Sequence, residues 1–179
     1  MTSTLRPLHL LIIGMAAFLC GCFAFLKDEK LTLVRAPIKK SIRLNGYYYH
    51  AHHGVPDYAD NYFFYQNGVT HYLNGSSDSM SVLRRIKQDR DTTTYQESRE
   101  ARKEYWGVFT ILWNEILIEK WEIEFMNSVF LRSGQIKNDT TFVIYNMESR
   151  DGDYRYEMSD TFRFRRFSPK PDSINEFVK

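Results

Sequence analysis

The sequence predicts an all-β, mainly antiparallel fold, a small meander barrel or sandwich, on three observations. β-Forming residues flank Asn67-Gly68 on both sides from Tyr62 to Leu73, which is the pattern of a tight hairpin. From Tyr154 to Arg165, apolar and charged residues alternate closely, as in a strand with one buried face. Turn signals recur at short intervals and divide the chain into about eight to ten short strands, which is typical of antiparallel barrels and sandwiches.

The first half of the domain predicts a strand, a hairpin and one helical excursion. A strand is expected over Ile42 to His50, where aromatic residues follow one another. Asn67-Gly68 predicts a type I′ turn in the hairpin, because both central positions of that turn need a positive φ. Met80 and Leu83 recur at helical spacing in a charged stretch, so we expect a short helical excursion around 78–104.

The second half predicts strands again. Val108 to Trp113 is almost wholly apolar, which indicates a strand buried on both faces. Between Glu115 and Phe125 the apolar positions change faces, and a bulge near Glu119-Lys120 would restore one inward face. The remaining turns are predicted at Ser133-Gly134, at Asn138-Asp139 and at 150–153.

A short apolar run near the N-terminus ends in Leu19-Cys20-Gly21-Cys22. The run is shorter than a membrane span, which needs about 20 apolar residues. These four residues resemble the lipobox of bacterial lipoproteins, and the resemblance implies cleavage before Cys22 and acylation of that cysteine. The alternative is a signal-anchor helix, because Phe23 to Leu26 extend the apolar run. We favour the lipoprotein interpretation.

The resemblance to a lipoprotein divides the chain into four segments. Residues 1–21 would be the signal peptide, 22–40 the lipidated N-terminus and tether, 41–168 a single β-rich domain, and 169–179 a C-terminal tail. It also implies a location in the cell envelope, where a lipid anchor holds the protein to a membrane facing the periplasm or the cell exterior. The Gram-negative outer membrane is the expected membrane.

The composition limits the classes of partner that the domain is expected to bind. Both cysteines lie in the targeting segment, so the folded domain is expected to have no disulfide. Beyond residue 21 there are 23 basic and 22 acidic side chains. This balance argues against nucleic acid as a partner, because a phosphate-binding domain shows a basic excess.

An architectural resemblance supports a barrel. The succession of hairpins, the aromatic first strand with Tyr47-Tyr48-Tyr49, and the pair Trp106-Gly107 resemble the small lipocalin-like lipoprotein domains of Gram-negative envelopes. The resemblance covers most of Ser41 to Phe167. A barrel of this size can hold one small ligand in an aromatic lining. The candidate lining residues are Tyr47, Tyr49, Tyr62, Phe64, Tyr72 and Trp121. The alternative is a plain core with a tyrosine-rich outer face.

Three histidines form a candidate metal site. His50 and His52 alternate, so on an extended strand they face the same side, and His71 lies nearby if this strand pairs with the hairpin. Imidazoles with a carboxylate suit zinc, and an open position on the ion could activate water. The alternative is a polar, histidine-containing loop.

The sequence favours a non-enzymatic function. No nucleophile elbow, phosphate-binding loop or dinucleotide fingerprint is present, and no cofactor is expected. We expect a lipid-anchored envelope protein that binds a small apolar ligand or a protein partner through its aromatic β surface. The alternatives are a structural or accessory lipoprotein of an envelope assembly, and a metal-dependent enzyme that uses His50, His52 and His71.

Overall fold

Eight antiparallel strands form a closed barrel in the computed structural model of the chain. The structure describes residues 30–36, 41–55, 58–76, 78–84, 103–122 and 128–178. The strands are β1 Gly46–Ala51, β2 Ala59–Phe64, β3 Val69–Gly75, β4 Trp106–Leu112, β5 Glu115–Glu122, β6 Ser128–Asn138, β7 Thr141–Ser149 and β8 Arg155–Arg166.

Each strand pairs with the next in the chain, and β1 closes the sheet against β8, where Tyr48 faces Phe164. Closure leaves no strand edge to pair with another chain. The predicted all-β, lipocalin-like meander barrel is therefore confirmed, and the sandwich alternative is excluded. We call the end with the β1–β2 and β7–β8 turns the upper end, and the end with the β2–β3, β4–β5 and β6–β7 turns the lower end.

The hairpin around Asn67-Gly68 is confirmed, but the predicted type I′ turn is wrong. Gly68 has φ 79°, whereas Trp113 is the sole non-glycine residue with positive φ in the part of the chain that the structure describes. The Gly68 N–H donates to Tyr65 O at 3.1 Å, and the Tyr65 N–H donates to Val69 O at 3.0 Å. The loop is thus a turn that ends in a single left-handed glycine, which adds a bulge to the hairpin.

Two other predictions about the strands are wrong. The predicted bulge near Glu119-Lys120 is absent, because β5 pairs in unbroken register with β6 over its whole length and with β4 from Glu115 to Lys120. Ser133-Gly134 is not a turn but a register shift inside β6. Gly134 is needed there because a Cβ at this position would lie 2.5 Å from Val143 O on the neighbouring strand.

The lower half of the barrel interior is apolar and aromatic. Phe142 stacks on Phe162 with ring centroids 4.8 Å apart, and Phe64 lies 4.6 Å from Phe109. Tyr48 closes this end, since its hydroxyl donates to Asp139 O at 2.6 Å and accepts from the Arg43 N–H at 2.9 Å. Burial raises the pKa of Tyr48 to about 12.

A second hydrophobic core, here the outer core, lies outside the barrel wall. Its buried members include Tyr47, Phe63, Trp106, Trp121 and Phe167. Non-strand segments cover it, including a helical stretch at 79–84, a 3-10 turn at Lys103–Tyr105 and the tail up to residue 178. These two pieces are the described parts of the predicted excursion around 78–104, and residues 85–102 lie outside the described residues. No helix among the described residues has the length and hydropathy that a membrane crossing requires.

The described part of the predicted tether, residues 30–36, lies against the barrel wall. The Thr32 and Leu33 N–H groups donate to Glu119 Oε2 at 2.7 Å and 2.6 Å. Arg150 pairs with the same carboxylate at 2.7 Å. Glu119 is thus a buried side chain on the outer face of β5 that fixes the N-terminal segment to the domain.

Candidate functional site: a charged cluster inside the barrel

Six polar side chains occupy the upper half of the barrel interior, and we call them the charged cluster. They come from β2, β3, β5 and β6. Side chains alternate between the two faces of a strand, so every second residue faces the barrel interior. The members are Asp60, Tyr62, Tyr72, Lys120, Glu122 and Arg132.

Glu122 lies at the centre of the cluster. Its Oε1 lies 2.9 Å from Lys120 Nζ and 2.5 Å from Arg132 Nη2. Lys120 is 1 % exposed, and its ammonium also donates to Trp121 O at 3.1 Å. One carboxylate thus contacts two cations in a region that is largely removed from water.

Two tyrosines line the cluster. The Arg132 Nη1 donates to the Tyr62 hydroxyl at 2.5 Å, and the Tyr72 hydroxyl donates to Asp60 Oδ1 at 2.5 Å. The two rings lie 5.2 Å apart, and Lys120 Nζ lies 4.5 Å from the centroid of the Tyr72 ring. The tyrosines therefore offer hydroxyl groups to the charges and ring faces to the cations.

Burial and pairing set the protonation states. Burial lowers the pKa of Lys120, although Glu122 opposes this effect. Burial alone would raise the pKa of Glu122, but Lys120 and Arg132 outweigh it and hold that pKa below its usual range. Burial also raises the pKa of Tyr62 and that of Tyr72. At neutral pH, Glu122 is therefore ionised and both tyrosines are neutral.

One buried donor in the cluster is unsatisfied. Arg132 Nε has no hydrogen-bond partner among the described residues. The side chains of Asp60 and Arg132 are each 13 % exposed, and that of Glu122 is 17 % exposed. Solvent thus reaches the edge of the cluster, while the Arg132 Nε–H itself is buried and keeps an unused donor.

Two histidines stand at the upper end beside the cluster. The rings of His50 and His52 lie 5.2 Å apart. His52 Nε2 lies 3.2 Å from Asp60 Oδ2, and His50 Nε2 lies 3.5 Å from Asp160 Oδ1. Each imidazole therefore has its own carboxylate, and both line a cleft of about 690 Å³ together with His53.

The third predicted metal ligand, His71, lies on the opposite face of the wall. Tyr62 pairs with Tyr72, so the neighbouring His71 faces outward, where its ring stacks on Trp106 at 4.4 Å. His71 does not share a site with His50 and His52. Within the described residues, no group of three or more histidine, cysteine or acidic side chains could hold a metal ion.

The structure divides the predicted aromatic lining between two faces. Tyr62, Phe64 and Tyr72 lie inside the barrel. Tyr47, Tyr49 and Trp121 lie outside, in or against the outer core. The six residues come from several strands, and the sequence alone does not give the register of these strands against one another. The predicted set therefore contains side chains from both faces of the wall. Cys22, the predicted lipidation site, lies outside the described residues.

Three members of the charged cluster, Lys120, Glu122 and Arg132, are not among the site residues predicted from the sequence. A signal for two of them was present, since the apolar positions of β5 change faces just before Lys120. Comparison with protein-family models, with curated proteins and with solved structures found no match to this chain.

Proposed function

We propose that this chain is a lipid-anchored protein of the cell envelope whose barrel is a non-enzymatic binding module. Its ligand would be a small amphipathic molecule with an anionic group. The lipobox-like sequence ending at Cys22 supports the anchor, and the charged cluster in the barrel interior supports the binding site. The cluster is the observation on which the binding proposal rests.

Stability does not explain the cluster. Replacing a buried ion-pair network with apolar residues of similar volume is often neutral or stabilising. The lower half of the same interior shows that aromatic and aliphatic residues can fill this barrel, as Phe109, Phe142 and Phe162 do. Perturbed titratable groups that gather in one place are typical of functional sites.

The chemistry of the cluster defines the ligand class. Arg132 Nε is the available buried donor, and a carboxylate or phosphate oxygen is the acceptor that a guanidinium binds best. The ring faces of Tyr62 and Tyr72 lie next to it and would contact an apolar portion. An apolar ligand, the class expected from the sequence, would leave the Arg132 Nε–H without an acceptor.

Native mass spectrometry of the full chain, purified without chelator, tests the binding proposal. We expect the wild-type protein to carry an extra mass that is lost on denaturation. Arg132→Met should lose that mass, whereas Arg163→Met, which removes an exposed guanidinium from β8, should retain it. A bare wild-type mass, or retention by Arg132→Met, would favour the structural or accessory alternative.

Metabolic labelling with a fatty acid tests the anchor separately. Cys22→Ala should abolish labelling and leave an uncleaved precursor. Cys20→Ala is the matched control, because it removes the neighbouring thiol and should leave labelling unchanged. Continued labelling of Cys22→Ala would refute the lipobox assignment.

A further inference from the structure

Trp113 is the most exposed large apolar side chain among the described residues. It is 96 % exposed, whereas Trp106 and Trp121 are 3 % and 5 % exposed. It occupies the two-residue loop between β4 and β5, with φ 61°. Glycine is the usual residue at such a position, because a side chain strains a left-handed backbone.

The loop that holds Trp113 is fixed to the barrel. The next residue, Asn114, accepts a hydrogen bond from the Ile136 N–H at 2.7 Å. On either side of the loop, Leu112 pairs with Glu115 in the β4–β5 ladder. The indole is therefore presented to solvent on a supported turn at the lower end of the barrel. A strained backbone that displays an exposed indole suggests a function.

Leu112, which directly precedes Trp113 in the chain, is also exposed and shares a cleft with Val34. Leu112 is 51 % exposed and Val34 is 80 % exposed. These two residues line one cleft of about 560 Å³, whose other walls are largely aliphatic and include Leu117 and Leu131. We call Val34, Leu112 and Trp113 the tryptophan patch. Contiguous apolar surface of this kind marks an interaction site.

We propose that the tryptophan patch inserts into the headgroup region of the membrane that carries the lipid anchor. This inference rests on the proposed acylation of Cys22. Seven residues separate Cys22 from Lys30, and the eight Cα–Cα steps between these two residues can span at most about 29 Å. Val34, a member of the patch, follows Lys30 by only four residues, so the patch lies within reach of the bilayer.

The chemistry of the patch fits a bilayer interface. Tryptophan is enriched at the level of the lipid headgroups, because its ring is apolar and its indole N–H needs a polar partner. Contact through Trp113 would also fix the orientation of the barrel, with its lower end against the lipid.

Tryptophan fluorescence can follow this contact at one residue. Iodide in solution should quench Trp113 alone, because the other two tryptophans are buried. The full lipidated chain would be reconstituted in vesicles of phosphatidylethanolamine and phosphatidylglycerol, with and without brominated acyl chains. We expect loss of iodide quenching and gain of quenching by the brominated lipid, and Trp113→Phe should remove the quenched component.

A pair of matched variants tests the patch while the anchor stays intact. Leu112→Asp should restore iodide quenching of Trp113 on vesicles that the protein still binds. Val55→Asp, an exposed apolar position in the upper β1–β2 loop, should have no such effect. If the anchored wild-type protein leaves Trp113 open to iodide, the membrane contact is refuted and the anchor stands. A chain that carries no lipid and does not float with vesicles refutes both.

Discussion

The barrel interior and the outer core bury titratable side chains in different ways. Inside, Glu122 contacts both Lys120 and Arg132, so each charge has a partner. Outside, His71 is 1 % exposed, and neither ring nitrogen has a hydrogen-bond partner among the described residues. The interior thus keeps its groups charged through pairing, whereas the outer core keeps its histidine neutral through burial alone.

This difference predicts opposite responses to mutation and to pH. A paired buried charge is costly to disrupt, because the partner is left uncompensated in a region of low dielectric constant. An unpaired neutral group has no partner that a substitution could remove at neutral pH. Protonation of such a group inside the protein is costly, because it creates an uncompensated charge in a region of low dielectric constant. The stability contributed by the barrel interior should therefore be sensitive to substitution, and that contributed by the outer core should be sensitive to acid pH.

Glu122→Gln should have the largest effect. The change keeps the size of the side chain and removes the charge that compensates Lys120 and Arg132. We expect the free energy of unfolding, measured by urea denaturation at pH 7, to fall by about 3–5 kcal/mol. Glu115→Gln is the matched control, because it changes an exposed carboxylate on the same strand and should alter stability by less than about 0.5 kcal/mol.

The pH dependence of Glu122 provides a second check. Its folded pKa lies below the unfolded value of 4.5, so its contribution is present above pH 4.5 and is lost as the pH falls through the folded pKa. The variant should lack this acid loss. Equal stability of Glu122→Gln and wild type at pH 7 would mean that the cluster is hydrated enough to need no counter-charge.

His71→Leu should produce the next largest effect, in a different pH range. Burial lowers the pKa of His71 to about 3, from 6.5 in the unfolded chain. Neutral burial therefore contributes its full stability above pH 6.5, and this contribution is lost as the pH falls towards 3. Between pH 6.5 and 4.5 the wild type should lose about 2.3 kcal/mol that the variant does not lose.

Urea denaturation at several pH values between 7 and 4.5 measures this loss, and that range lies above the acid transition of Glu122. His53→Leu is the control, because His53 is exposed in the β1–β2 loop and should leave the pH slope unchanged. At pH 7, His71→Leu should be at least as stable as wild type, since it removes two buried nitrogens without partners. An unchanged pH slope in His71→Leu would show that the ring is hydrated.

The two regions also show what the sequence could predict. Alternation within a strand and turn residues between strands are local signals, and they were sufficient for the all-β barrel and for the hairpin at Asn67-Gly68. Local signals could not predict which side chains of β5 face the barrel interior. Its apolar positions change faces because the outer face at Trp121 is covered by the outer core, so the strand needs no bulge.

The charged cluster was hidden for a related reason. Lys120 and Glu122 appear as solvent-facing residues in the sequence, and Arg132, the second cation that pairs with Glu122, comes from the next strand. Only the register of β5 against β6, which pairs Ile118 with Arg132, brings these side chains together inside the barrel. Side-chain pairing between strands is therefore the information that single-strand patterns lack.

The smallest expected effect comes from Asp139→Asn, which isolates the role of burial in an ion pair. Arg43 Nε lies 2.8 Å from Asp139 Oδ2, almost the same distance as Lys120 from Glu122, but the two side chains are 52 % and 55 % exposed. The substitution leaves the Asp139 carbonyl free to accept from Tyr48 and Arg43, so only the charge is lost. We expect a loss below about 1 kcal/mol that shrinks further in high salt, measured by urea denaturation at two salt concentrations. A loss as large as that of Glu122→Gln would mean that distance between the charges, and not their removal from water, sets the cost of breaking a pair in this barrel.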